Sequence, residues 1–111
     1  MLEPIQGEGG IFPATGAYLK GVRDLCDKNN WIMILDEIQS GIGRSGSFFA
    51  YQHHNVTPDA ITCAKALGNG MPIGACIINN KFSKLFKPGS HGSTFGGNPL
   101  CATAALATLA A

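Results

Sequence analysis

Trp31-Ile32-Met33-Ile34-Leu35-Asp36-Glu37-Ile38-Gln39 is the stretch that decides the fold. Five apolar residues in unbroken succession suit a strand covered on both faces, as in a parallel sheet flanked by helices. The run stops at Asp36, so a carboxylate, and then the amide of Gln39, are delivered at the strand's carboxyl end. Ligands of open α/β sheets gather at that end.

The surrounding sequence alternates in the same way. Met1 to Gln6 is expected as a first strand, followed by a Gly7-Glu8-Gly9-Gly10 loop. A helix begins near Pro13 to Thr15, with Leu19, Val22, Leu25 and Cys26 at helical spacing and Asn29-Asn30 as its stop. Beyond Asp36 a glycine-rich stretch runs to Gly46, then a helical turn spans Phe48 to His53. Thr57-Pro58-Asp59 breaks it before a strand over Ala60 to Cys63. A further strand over Ile73 to Ile78, a short helix near Phe82 to Phe86, a long loop from Lys87 to Asn98 and a terminal helix complete the chain. Alternating strands and helices imply an α/β fold with a mostly parallel sheet.

Composition narrows the function. The chain has 111 residues, 45% of them hydrophobic and 14% charged, so it is expected to fold rather than remain disordered. A formal charge of +1 with scattered Lys and Arg gives no basic stripe for nucleic acid or an anionic membrane. No apolar run is long enough to span a bilayer and no leader pattern opens the chain, so a cytoplasmic location is the expectation. Cys26, Cys63, Cys76 and Cys101 are irregularly spaced and read as reduced, mostly buried thiols. Adjacent His53 and His54 point about 100° apart on a helix and do not share a metal. No metal site is expected.

Lys65 follows the Ala60 to Cys63 strand directly, in Thr62-Cys63-Ala64-Lys65-Ala66-Leu67-Gly68, twenty-nine residues after Asp36. Taken singly, it reads as a surface lysine and Asp36 as a strand-end cap. Taken jointly, an amine and a carboxylate at two strand ends match the needs of pyridoxal phosphate. That cofactor requires an amine to hold its aldehyde as a Schiff base and a carboxylate to keep its ring nitrogen protonated. The carboxylate–pyridinium hydrogen bond is charge-assisted and about twice as strong as a neutral one. Gln39 can donate to the phenolic oxygen, and Glu37 falls behind the site.

Two glycine motifs carry alternative readings. Gly41-Ile42-Gly43-Arg44-Ser45-Gly46 matches the letters of a dinucleotide fingerprint. Asp36 to Ser40 separate it from the strand, however, and no acidic residue closes a second strand about twenty positions on. His91-Gly92-Ser93-Thr94-Phe95-Gly96-Gly97-Asn98-Pro99 combines hydroxyls, free backbone amides and a helix start. It reads equally as a phosphate-holding loop and as an ordinary turn into a helix.

Glu3-Pro-Ile-Gln-Gly-Glu-Gly-Gly10, Asp36-Glu-Ile-Gln39, the Gly41 to Gly46 motif, Thr57-Pro-Asp59, Ala64-Lys-Ala-Leu-Gly68 and His91 to Pro99 together resemble the class III pyridoxal-phosphate-dependent aminotransferases, in order and spacing, across essentially the whole chain. The resemblance implies part of the large, cofactor-binding domain of a fold-type-I transferase, with residues 1–111 truncated at both ends. It implies a homodimer with shared active sites and small-molecule amino-acid substrates. Lys65 would be the Schiff-base lysine and proton carrier, Asp36 the partner of the ring nitrogen, Ile38 a packing surface for the ring and Gln39 a partner of the phenolic oxygen. Glu37 would accompany them at the cofactor. Thr94 would hold the phosphate of the neighbouring subunit's cofactor and Ser93 would touch substrate there. Glu8 would pair with a substrate-carboxylate arginine, a residue that Arg23 and Arg44 do not match. The activity implied is amino transfer from N-acetylornithine to 2-oxoglutarate in arginine biosynthesis. Succinylornithine, ornithine and 4-aminobutyrate are alternative donors, and a noncatalytic remnant is the alternative from another class. By itself the 111-residue polypeptide is expected to be unstable and inactive, because so short a chain buries a limited core.

Overall fold

The computed structural model describes residues 1–111. Its first helix, α1 (Gly16–Asn29), starts where the Thr15 hydroxyl accepts the Tyr18 amide at 3.2 Å. It ends where Asn30 turns left-handed at φ 54°, with the Asn30 amide donating to Asp27 O and the Trp31 amide to Cys26 O. Those two bonds form a Schellman stop. The inner face of α1 places Leu19 and Cys26 against Met33, Leu35 and Val56, one of two small cores.

Three strands form the main sheet in the order β3 (Ile34–Asp36), β4 (Ala60–Cys63), β5 (Ala75–Ile78). The β3–β4 pairing is parallel, with Asp36 opposite Thr62. Leu2 adds a further parallel rung beside Leu35, through Leu2 N–H to Ile34 O at 3.1 Å and Asp36 N–H to Leu2 O at 2.9 Å. The β4–β5 pairing is antiparallel. The α/β reading therefore stands, but the sheet is mixed rather than mostly parallel, since β5 runs opposite to β4 while β3 runs parallel to β4 and Leu2 parallel to Leu35.

Several boundaries differ from expectation. Trp31, Ile32 and Met33 lie outside the ladder because the Asp59 carboxylate takes the Met33 amide at 2.8 Å, and the Asp59 and Ala60 amides take its carbonyl. The amino-terminal stretch does not run as one strand. Ile5–Gln6 (β1) turns through Gly7 to Gly10 and pairs antiparallel with Phe12–Pro13 (β2). The expected helical turns are 3-10 segments, at Ala50–His54 and Asn80–Leu85.

The second core joins Phe49, Ile61, Cys63, Leu67 and Ala105. Ala105 belongs to α2 (Pro99–Ala110), which is capped by Asn98, whose side chain accepts the Cys101 amide at 3.0 Å. This helix lies over the 3-10 turn Lys65–Gly68, so the segment after β4 is held from outside the sheet. Only 19 of 111 residues are buried, and Trp31, Phe95, Leu100 and Leu106 stand mostly exposed. This core is small for the apolar content of the chain.

Candidate active site

Asp36 and Lys65 are delivered by the two adjacent parallel strands. Asp36 closes β3, and its Oδ1 accepts the Ile38 amide at 3.0 Å, a tight turn that leaves Oδ2 free of protein donors. Its rung partner on β4 is Thr62, so the two side chains share a face of the sheet. The Thr62 Oγ1 is buried and has no hydrogen-bond partner, a polar atom at the site waiting for one. Lys65 follows three residues later. It opens its 3-10 turn at φ 43°, a left-handed conformation uncommon outside glycine, and its amine forms no ion pair. Such strain is characteristic of functional positions.

Gln39 stands on the turn beyond β3. Its Nε2 donates to Glu8 Oε1 at 3.2 Å, joining the β3 end to the β1–β2 turn. That turn is fixed by the Gly7 amide donating to Glu3 Oε2 at 2.9 Å. Gly7 allows the close approach, since a Cβ there would lie 2.5 Å from the Gln39 side chain. A cavity of about 260 Å³ lies beside it, lined by Gln6, Gly7, Gln39, Ser40 and Arg44, but not by Asp36 or Lys65.

The structure places Glu37 behind the site, as strand alternation leads one to expect, and not among the cofactor-facing residues with which the resemblance grouped it. Its side chain is wholly buried and its carboxylate is taken by Ser40, Ala50 and Tyr51. Alternation at the strand end turns it to the opposite side from Asp36. Ile38 is half-buried between the two polar residues. Ser93 and Thr94 lie in the loop from Lys87 to Asn98, where every residue from 83 to 97 is exposed, and no hydrogen bond ties their side chains to Asp36 or Lys65. The Gly41 to Gly46 motif closes on itself, through Gly43 N–H to Phe48 O at 3.2 Å and Gly46 N–H to Gly43 O at 3.1 Å. It leads into the Ala50–His54 turn rather than a long helix, so the dinucleotide reading has no helix terminus to use.

Sequence reasoning did not single out Thr62, Gly7 or the Asp59–Arg23 pair. Arg23 Nη1 lies 2.7 Å from Asp59 Oδ2 and Nη2 lies 2.9 Å from Asp27 Oδ1, so α1 is tied to the start of β4. Burial opposes the Arg23 charge, but bonding to the two carboxylates outweighs it and the guanidinium pKa is raised. The signal available for Asp59 was its place after Thr57-Pro58, where a carboxylate can bond a neighbouring backbone. Cys26, Cys63 and Cys101 are buried free thiols and Cys76 is an exposed one. No helix is long and apolar enough to cross a membrane.

Comparison with known proteins gives the same picture. Residues 1–111 match the family described as aminotransferase class-III. The acetylornithine aminotransferase of Corynebacterium efficiens is 60% identical over 109 residues, covering 98% of this chain and 27% of that protein. The succinylornithine transaminase of Salmonella typhi is 51% identical over 105 residues, covering 95% and 26%. The solved ornithine aminotransferase of Plasmodium yoelii superposes with a TM-score of 0.92 at 45% identity, covering 98% of this chain and 30% of that one. The chain thus spans about a quarter of the length of the curated relatives it matches. With this degree of identity along its whole length, and with lysine and carboxylate at neighbouring strand ends, the chain belongs to the class-III aminotransferase family.

Proposed function

We propose that this chain is part of the cofactor-binding large domain of a pyridoxal-phosphate-dependent aminotransferase. In the full protein it would transfer the amino group of N-acetylornithine to 2-oxoglutarate, in the cytoplasm and as a homodimer. The observation that carries the reading is the Asp36–Thr62 rung with Lys65 just beyond it. The residues fit the cofactor: Asp36 keeps one carboxylate oxygen unengaged, Lys65 keeps an unpaired amine, and the buried Thr62 hydroxyl lacks a partner.

Bound there, pyridoxal phosphate supplies an aldehyde that exchanges amines and a ring that draws electrons from the substrate carbon. Asp36, whose Oδ1 is fixed by the Ile38 amide, would use its unengaged oxygen to keep the ring nitrogen protonated. Lys65 would hold the group through its Nζ and, once released, would serve as the base that takes up and delivers a proton beside the substrate carbon. Gln39 would supply a donor to the phenolic oxygen and Ile38 an apolar surface for the ring. Glu8, already bonded to Gln39, pairs with a substrate-binding arginine from outside residues 1–111 and so senses which carboxylate enters. Thr94 and Ser93 stand on an exposed loop, which suits the roles of holding the phosphate and substrate of a neighbouring subunit's site.

The choice of donor is supported by the names of the relatives, acetylornithine aminotransferase at 60% identity and succinylornithine transaminase at 51%. The test is Lys65→Ala in the full-length enzyme. Turnover should vanish while pyridoxal phosphate still binds noncovalently, and borohydride should fix the cofactor to the Lys65 peptide of the parent only. Full activity in the variant would overturn the assignment. Rates on N-acetylornithine, succinylornithine, ornithine and 4-aminobutyrate then fix the donor.

A further inference from the structure

We propose that Glu37 is a positioning residue, which sets where Asp36 and Gln39 stand through a buried carboxylate tie to the turn at Ala50–Tyr51. The proposal rests on the reading of Asp36 and Gln39 as partners of the cofactor ring.

The Glu37 side chain has no exposed surface. Its Oε2 accepts the Ser40 hydroxyl at 2.5 Å and the Ala50 amide at 3.0 Å, and its Oε1 accepts the Tyr51 amide at 2.9 Å. Ala50 and Tyr51 open a 3-10 turn, so their amides have no partner within that turn, and Glu37 supplies both acceptors. The backbone of the same residue extends the sheet. Its amide donates to Thr62 O at 2.8 Å, and its carbonyl accepts the Gly41 amide at 2.9 Å. Glu37 therefore joins the β3 end, the β4 strand leading to Lys65, the glycine loop and the Ala50–His54 turn.

The packing around this junction is tight. A Cβ at Gly41 would lie 2.8 Å from the Glu37 carbonyl oxygen and 3.1 Å from both Glu37 Cβ and Phe49 Cδ1. Asp36 precedes Glu37 directly and is bonded to Ile38, so a shift of the Glu37 backbone moves the carboxylate and Gln39 together. A carboxylate can only accept, and three donors converge on it. An amide in its place presents N–H₂ either to Tyr51 or to Ala50 and Ser40, so one donor always meets another donor.

The test uses the full-length enzyme with pyridoxal phosphate bound. Glu37→Gln should displace the pH midpoint of the cofactor's visible absorption band and lower kcat about tenfold or more, as losses of orienting partners do at metal ligands. KM should change less. Leu19→Ala, in the core beneath α1, serves as the comparison: it should lower Tm and leave the midpoint where it is. If Glu37→Gln does not fold, Ser40→Ala carries the test, removing one of the three donors, and a smaller displacement of the midpoint is expected. An unmoved midpoint and unchanged kcat in the Glu37 or Ser40 variant would overturn the proposal, as would an equal displacement in Leu19→Ala. Asp36→Asn separates the two levels. If the midpoint ignores that change, the reading of the site itself fails and the proposal falls with it; if the midpoint follows Asp36 but not Glu37, only the positioning role fails.

Discussion

Asp36 and Thr62 face each other across the parallel ladder of β3 and β4, so the strand that presents the carboxylate also fixes the height at which Lys65 begins its turn. Backbone hydrogen bonds thereby set where the two side chains leave the chain, while the Lys65 amine itself remains on an exposed, flexible side chain.

Asp36→Ala in the full-length enzyme removes the group assigned to the ring nitrogen. By analogy with the loss of other preorganised electrostatic partners, the barrier should rise by about 3 kcal/mol, which corresponds to a fall of roughly a hundredfold in kcat. Steady-state kinetics with saturating cofactor measure it, and unchanged kinetics would refute the role.

Gly7→Ala drives a methyl group into Gln39, whose amide would lie 2.5 Å away. Because the obstacle is a side chain, Gln39 should move and the Glu8 contact should break with little loss of Tm. The cofactor's absorption spectrum and the ratio of rates on donor and acceptor should change. An unaltered spectrum would mean that Gln39 does not reach the cofactor.

Arg23→Ala strips Asp59 of its partner while that carboxylate still holds the Met33 amide. The side chains are about one-sixth exposed, so the expected loss is about 2 kcal/mol, below the cost of breaking a fully enclosed pair. Denaturant unfolding of the full-length enzyme reads it. Kinetics of the folded fraction should be nearly unaffected, since the pair lies at the far end of β3 and β4 from Asp36.

Thiol labelling should separate Cys76 from Cys63. Cys76 is exposed and should react first, whereas burial pushes the Cys63 thiol above its ordinary pKa, helped by neighbouring Cys76. A raised pKa means that the folded state keeps the proton longer than the unfolded chain does. The Cys63 contribution to stability is thus complete below the unfolded thiol pKa of about 8.5 and is lost as pH rises through the folded value. Mass spectrometry after a brief alkylation at rising pH checks the order, and equal labelling of the two thiols would contradict it.

The sequence was most legible where local chemistry acts alone. Thr15 and Asn30 bound α1 because a hydroxyl cap and a left-handed stop are properties of single residues, and Asn98-Pro99 start α2 for similar reasons. The β4 strand over Ala60 to Cys63 follows its sequence expectation because Pro58 and Asp59 end what comes before. The run from Trp31 to Leu35 was readable as a strand but not in extent, since apolarity does not tell which residues find a ladder partner. Trp31 is exposed and the pairing begins at Ile34.

By itself the sequence determined the α/β class and the family, and it placed Asp36 and Lys65 at the ends of two successive strands, because those follow from residue order and pattern. The tertiary structure alone decided that Glu37 is a buried tie, that Gly7 is cut away for Gln39, and that Asp59 belongs to Arg23. Each of these joins residues 13 to 36 positions apart, and hydrogen bonds of that span exist only once the sheet and its turns have brought the partners together. A carboxylate reads alike in sequence whether it will meet a ring nitrogen or two backbone amides; burial and geometry make the difference.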